Sequence, residues 1–144
     1  MTVKVLTFYL GGNLLGIDVT LVKEINRNVD YSPVPGSQSC IVGFMNMRGQ
    51  VVTLFNLAEL LKLDDAGGQE GHTCIILKTP KDPDQVGFLI DRPGDVIDID
   101  REEFELPPAN VGGVEGEFID SIVKLENELL IIIDTKKIFK DQRN

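Results

Sequence analysis

The sequence predicts a mostly β protein, folded as two small barrels that share one hydrophobic core and carry short helices. Punctuation, composition and repetition each point there. Short apolar runs alternate with Gly-, Pro-, Asn- and Asp-rich turns roughly every 8–12 residues, the spacing of a small barrel or sandwich. The hydrophobic share is 42%, aromatics are 6% and there is no Trp, so the core must be mostly Val, Ile and Leu, which suit strands. The two halves also repeat one plan. With Arg48-Gly49 set over Glu126-Asn127, "QVVTLFNLAELL" (50–61) overlies "ELLIIIDTKKIF" (128–139): a strand, an Asn or Asp, then a short apolar-faced helix. Upstream, "GIDV" (16–19) parallels "GFLI" (87–90), each following a hairpin. Barrels this small rarely stand alone. A chain of 144 residues can bury about 70% of its unfolded surface, so one cooperative unit is expected.

The elements follow in order. "KVLTFYL" (4–10) has strand composition, "GGN" (11–13) is a turn signal and "LLGIDV" (14–19) returns as the partner strand. "DVTLVKEI" (18–25) reads as a short turn into a third strand. "SPVPGSQ" (32–38) is a loop, because each proline holds the residue before it extended. "FMNMRGQVVTLF" (44–55) reads as strand, Arg-Gly turn, strand. In "NLAELLKL" (56–63), Leu57, Leu60 and Leu61 fall at i, i+3 and i+4 behind an Asn56 N-cap, which makes an amphipathic helix. "DDAGGQEG" (64–71) is an acidic, Gly-rich connection.

In the second half, "TCIILKT" (73–79) is a buried-type strand, "PKDPD" (80–84) a turn, and "QVGFLID" (85–91) and "GDVIDI" (94–99) two further strands. "REEFELPPANVGGVEGE" (101–117) is a long polar loop. "FIDSIVKLENELLIIID" (118–134) is a hairpin around Glu126-Asn127, and "TKKIFK" (135–140) a terminal helix capped by Asp134.

The net charge of -9 opposes nucleic-acid binding, which draws its energy from neutralising phosphates with Lys and Arg, and opposes docking on an anionic membrane. Phe8, Tyr9 and Phe44 are assigned to the core rather than to base stacking. No apolar run reaches the roughly 20 residues of a membrane span, and "MTVKVLTFYLGGN" lacks a signal-peptide pattern. A cytoplasmic location is expected. Cys40 and Cys74 lie in apolar surroundings without metal-ligand spacing and read as free buried thiols. His72, in the Gly-rich linker, has no flanking partner ligand and reads as solvated.

There is no HExxH, nucleophile elbow or CxxC. "GGNLLG" (11–16) lies in a hairpin and not at a strand-to-helix turn, so it does not fit a dinucleotide fingerprint. "DIDREEFE" (98–105) lacks the central Gly and final Glu of a calcium loop. No metal, cofactor or catalytic residue is expected. A binding module is favoured over an enzyme assembled from scattered carboxylates.

One charge stands out. In a hairpin, Arg48-Gly49 occupies the turn and Gly49 takes the left-handed backbone. Asn46 and Arg48 share one strand face, opposite Met45 and Met47. Val22, Glu24 and Asn26 share another if "VKEIN" is a strand. Glu24 is the nearest acid with apolar neighbours on both sides, so an Arg48–Glu24 ion pair accounts for both charges. Three readings stay open: a structural pair, a pair that also positions the guanidinium for a partner, and an arginine that points into water.

"IVGFMNMRGQVV" (41–52), with "GIDVTLVKEI" (16–25), "PVP" (33–35) and "VGFLID" (86–91) in this order and spacing, resembles the CheW family of bacterial chemotaxis coupling proteins. The resemblance runs from about Val3 to Phe139. It implies two intertwined SH3-like barrels in a single domain, residues 1–144, with one subdomain at roughly 15–80, the other the remainder, and strands exchanged between them. It implies no catalysis and no cofactor. The partners it implies are the CheW-like regulatory domain of a CheA-type histidine kinase, the cytoplasmic tip of a methyl-accepting chemoreceptor, and further copies within arrays at the inner face of the membrane. A non-flagellar array, serving surface motility or a second messenger, is the alternative.

By position, the resemblance implies kinase contacts at Val22, Glu24, Ile25 and Gly43. It implies receptor contacts at Arg48, Gly49, Thr73, Cys74 and Val86, where an apolar-walled groove would take a receptor helix, and a Glu24–Arg48 pair. Thr53 stands where the family usually has Pro, Asn56 where Asp is usual, Pro93 where Val is usual beside the groove, and Ser121 where Gly often opens the last hairpin.

Overall fold

The computed structural model describes residues 1–27, 29–33, 40–63, 73–78 and 85–139. The connection 64–71, His72, the turn 80–84 and most of the loop 32–38 lie outside the described residues. The chain opens with β1 (Thr2–Leu10) and β2 (Asn13–Asp18), a hairpin turning on Gly11-Gly12 at φ 59° and 80°. Positive φ at both central residues matches the twist of the flanking strands, and glycine reaches it without a Cβ clash. A 3-10 turn at Val19–Leu21, capped by the Asp18 carboxylate on the Thr20 N–H, leads into β3 (Val22–Asn26).

Next come β4 (Ser32–Pro33), which pairs with the strand that follows it, then β5 (Ile41–Met47), β6 (Gln50–Asn56) and α1 (Leu57–Leu60). The Asn56 side chain accepts the Glu59 N–H and fixes the start of α1. The chain continues through β7 (Thr73–Leu77), β8 (Gln85–Ile90) and β9 (Arg92–Asp100). It ends with β12 (Ile119–Lys124), β13 (Leu129–Ile133) and α2 (Thr135–Phe139), where Asp134 accepts the Lys137 N–H.

The stretch 101–117 is more ordered than its polar composition suggests. Glu105 exchanges two 2.9 Å backbone hydrogen bonds with Ile122. The small hairpin β10 (Asn110–Val111) and β11 (Val114–Glu115) buries Val111 and Val114. Those few apolar residues, diluted among Glu, Pro and Gly, carry no period of their own.

The strands form two main sheets, ordered β9-β1-β2-β13-β12 and β3-β7-β8-β6-β5-β4. The first five strands of each follow one plan: antiparallel, antiparallel, parallel, antiparallel. The register matches too. Val52–Gln85, Thr53–Val86 and Leu54–Gly87 in one sheet correspond to Leu130–Leu14, Ile131–Leu15 and Ile132–Gly16 in the other. Sheet membership changes between Asp18 and Val22 and again between Ile90 and Arg92.

Period-2 alternation gives each strand two apolar destinations. Leu6, Phe8 and Leu10 of β1 meet Phe55, Ile75, Phe88 and Ile90 of the other sheet in one shared core, which both helices cap. Phe8–Phe88, Phe88–Phe139 and Phe55–Phe139 ring pairs at 5.3–6.0 Å join the two sheets to α2. The opposite faces fill each sheet's own interior: Met45, Met47, Val52 and Cys74 in one, Val5, Leu14, Val123 and Leu130 in the other.

Candidate functional site

At one end of the six-stranded sheet, the β5–β6 hairpin turns on Arg48-Gly49 at φ 52° and 81°. The Arg48 Nη1 donates to Glu24 Oε2 at 2.8 Å. Strands β7 and β8 lie between β3 and β6; at a strand spacing of about 4.8 Å a flat sheet would set β3 and β6 about 14 Å apart. The ion pair therefore bridges a sheet curled on itself. Met45 and Met47 point into that curl, while Asn46 and Arg48 point out.

Phe44 corrects an expectation. It was assigned to the core, yet it is 39% exposed. It shares parity with Asn46 and Arg48, so the alternation that turns Met45 inward turns Phe44 outward. Val51, opposite Asn46, is exposed as well, and Ile25 on β3 is 37% exposed. Val22 and Glu24 are half-buried. Gly43 is buried, and a Cβ there would collide with the Ser32 carbonyl oxygen. Its role in the fold is close approach of β4 and β5.

Thr73, Cys74 and Val86, expected to line one receptor groove, lie in the same six-stranded sheet as Glu24 and Arg48. They also part along it. Val86 pairs with Thr53 near the Arg48 end, while Thr73 and Cys74 pair with Ile90 and Leu89 at the other. Cys74 is fully buried among Met45, Met47 and Val52, and burial pushes its thiol up to about 11. Cys40, expected to be buried, is half-buried, because it sits at the entry to β5. Val86 is buried and floors a hollow of about 140 Å³ with Leu21, Leu77 and Phe139. Thr73 is half-buried.

Past Ile90 the chain crosses to the five-stranded sheet. Asp91 anchors the crossing: its N–H donates to the Tyr9 carbonyl at 3.0 Å, and its carboxylate accepts the Gly11 N–H at 2.9 Å. A cavity of about 460 Å³ opens here, lined by Tyr9, Leu14, Arg27, Arg92, Pro93 and Glu128 among others. The Arg92 guanidinium lies 3.9 Å above the Tyr9 ring centroid, and the Tyr9 hydroxyl donates to Glu128 Oε1 at 3.3 Å. Pro93 faces Phe8 on the edge strand β9, next to a register shift between Leu6 and Phe8. Gly94 crowds Thr7, whose hydroxyl donates to the Asp95 carbonyl. An edge strand with a bulge is where proline fits a sheet.

The roles of Tyr9 and Arg92 escaped the sequence reading. Tyr9 was assigned to the core, and the lone cation Arg92 sits in a run otherwise read only as strands. Among the described residues, no three His, Cys, Asp or Glu side chains gather as a metal site, and no helix is long and apolar enough to cross a membrane.

These features define a small repeated β domain with distinctive side chains on its surface at two separate ends, a module of the binding class. The chain belongs to the CheW-like domain family, matching it over residues 4–143. It is 34% identical to the chemotaxis protein CheW of Bacillus subtilis (strain 168), over 94% of this chain and 85% of that protein. It is 30% identical to the chemotaxis protein CheW of Treponema pallidum (strain Nichols), over 96% and 83%. Its fold matches the crystal structure of the scaffolding protein TtCheW from Thermoanaerobacter tengcongensis with a TM-score of 0.83 and 26% identity, over 96% of this chain and 88% of that one.

Proposed function

We propose that this protein is a non-catalytic adaptor that couples a CheA-type histidine kinase to the cytoplasmic tips of chemoreceptors, at the inner face of the membrane. Family membership supports the pathway. The observation that carries the two-partner reading is a distinctive surface on each sheet. The six-stranded sheet carries Val22, Glu24, Ile25, Phe44 and the clamped Arg48-Gly49 turn; the five-stranded sheet carries the groove of Tyr9, Arg92 and Pro93, and Thr73 pairs with Ile90 just before the chain crosses between the two.

In this reading the kinase's CheW-like regulatory domain takes the first surface and an amphipathic receptor helix the second. Arg48 and Gly49 then belong to the kinase side, through Glu24. Gly43, Cys74 and Val86, all buried, support the surfaces from within. Further copies of the chain extend the array.

The test is calorimetric titration with the kinase's regulatory domain from the same organism. Saturable binding in the micromolar range is expected, and Ile25→Asp, at an exposed strand position, should weaken it about tenfold or more. Failure to bind at high micromolar concentration overturns the kinase half of this reading.

A further inference from the structure

The two sheets treat equivalent edge strands oppositely. Glu24 lies on the edge strand β3 beside Ile76 of β7, and Arg92 on the edge strand β9 beside Tyr9 of β1. In the six-stranded sheet Glu24 is neutralised directly by Arg48 from the β5–β6 turn. In the five-stranded sheet the charges are reversed: the cation is on the edge strand and the anion, Glu128, is in the β12–β13 turn. Here Tyr9 stands between them. Its hydroxyl binds the carboxylate and its ring face carries the guanidinium, and Arg92 and Glu128 form no ion pair.

Arg27 lines the same cavity from the end of β3. Among the described residues it has no carboxylate partner either, whereas Lys4, Lys62 and Lys124 each have one. Two arginines, Arg27 just past β3 and Arg92 on β9, line one groove, and among the described residues neither is held in an ion pair. The groove's other carboxylate is that of Asp95, which among the described residues pairs with no cation. A guanidinium stacked on an aromatic face is pre-oriented, with its N–H edge still able to take a carboxylate in bidentate fashion.

We propose that this groove is a carboxylate seat. Arg92, held on Tyr9, and Arg27 select an acidic amphipathic helix of the receptor tip and fix its register. The proposal rests on the receptor half of the reading above and adds the chemistry of recognition to it.

The experiment titrates the full chain with a coiled-coil-stabilised receptor-tip fragment from the same organism, at low and high salt. The proteins are wild type, Arg92→Glu and Arg27→Glu; thermal melts confirm that each is folded. Arg92→Lys separates the stacked plane from the charge. Each charge reversal should weaken fragment binding about tenfold and leave regulatory-domain binding unchanged. Wild-type affinity should fall with salt, and a fragment with Glu→Lys changes on its docking face should recover binding to Arg92→Glu.

If wild type binds the fragment but both reversals bind equally well, or if no charge-reversed fragment recovers binding, the carboxylate seat is overturned and the receptor reading stands. If wild type does not bind the fragment, both fall. Loss of kinase-domain binding alone in the reversals also overturns the proposal, and assigns the groove to the kinase.

Discussion

The β5–β6 and β12–β13 hairpins occupy the same place in two sheets of one design, yet they end differently. One closes in two residues, Arg48-Gly49, and its cation is clamped to Glu24. The other spans Leu125 to Glu128, closed by the Leu125 N–H on the Glu128 carbonyl, and leaves its carboxylate on Tyr9. A tight turn pulls its sheet shut with a direct ion pair. A wider turn with an aromatic spacer holds a groove open. The repeat supplies the scaffold, and the turn chemistry differentiates its two ends.

The two-residue turns sharpen this further. Gly11-Gly12, Arg48-Gly49 and Gly112-Gly113 all place both residues at positive φ. Only one of the three has a non-glycine in the first position. That backbone disfavours any residue with a Cβ by roughly 1–2 kcal/mol, so Arg48 is present for what its side chain reaches and not for the turn. Lys62, the other left-handed non-glycine among the described residues, ends α1 and pairs with Glu115 at 3.8 Å.

The largest effect should come from Gly49→Val. Gly49 has φ 81° and open space around a would-be Cβ, so the penalty is backbone strain alone, about 1–3 kcal/mol. Gly12, at φ 80° and equally open, should lose the same amount as Gly12→Val. Urea unfolding of the two variants measures the pair. A large inequality would show that one turn carries more of the fold than its backbone accounts for.

Much of this architecture was legible. Turn residues mark the hairpins, Asn56 and Asp134 mark the helix starts, and the sequence overlay of the halves reveals the repeat. The sheet order was harder, because the parallel pairs β6–β8 and β2–β13 join segments that no local period connects. The exposure of Phe44 was readable from its parity with Asn46 but was overruled by its size. The Tyr9–Arg92–Glu128 arrangement joins three distant segments, and only folding brings them together.

The smallest effect is the most discriminating. Arg48→Ala keeps the strained backbone and loses the ion pair with Glu24. Arg48 is 73% exposed and Glu24 26%, and an exposed pair of this kind contributes about 0–1 kcal/mol, so the loss in urea unfolding should stay within that range. Arg48→Gly loses the same pair but releases the strain of about 1–2 kcal/mol, offset by about 0.4–1 kcal/mol of extra unfolded-state entropy. Its stability should therefore lie between about 1 kcal/mol below and about 1.6 kcal/mol above wild type, and above that of Arg48→Ala. If the guanidinium serves the partner, both variants should lose regulatory-domain binding equally despite their different stabilities. If Arg48→Gly binds like wild type, the turn's shape alone matters, and the two hairpins differ in closure but not in recognition.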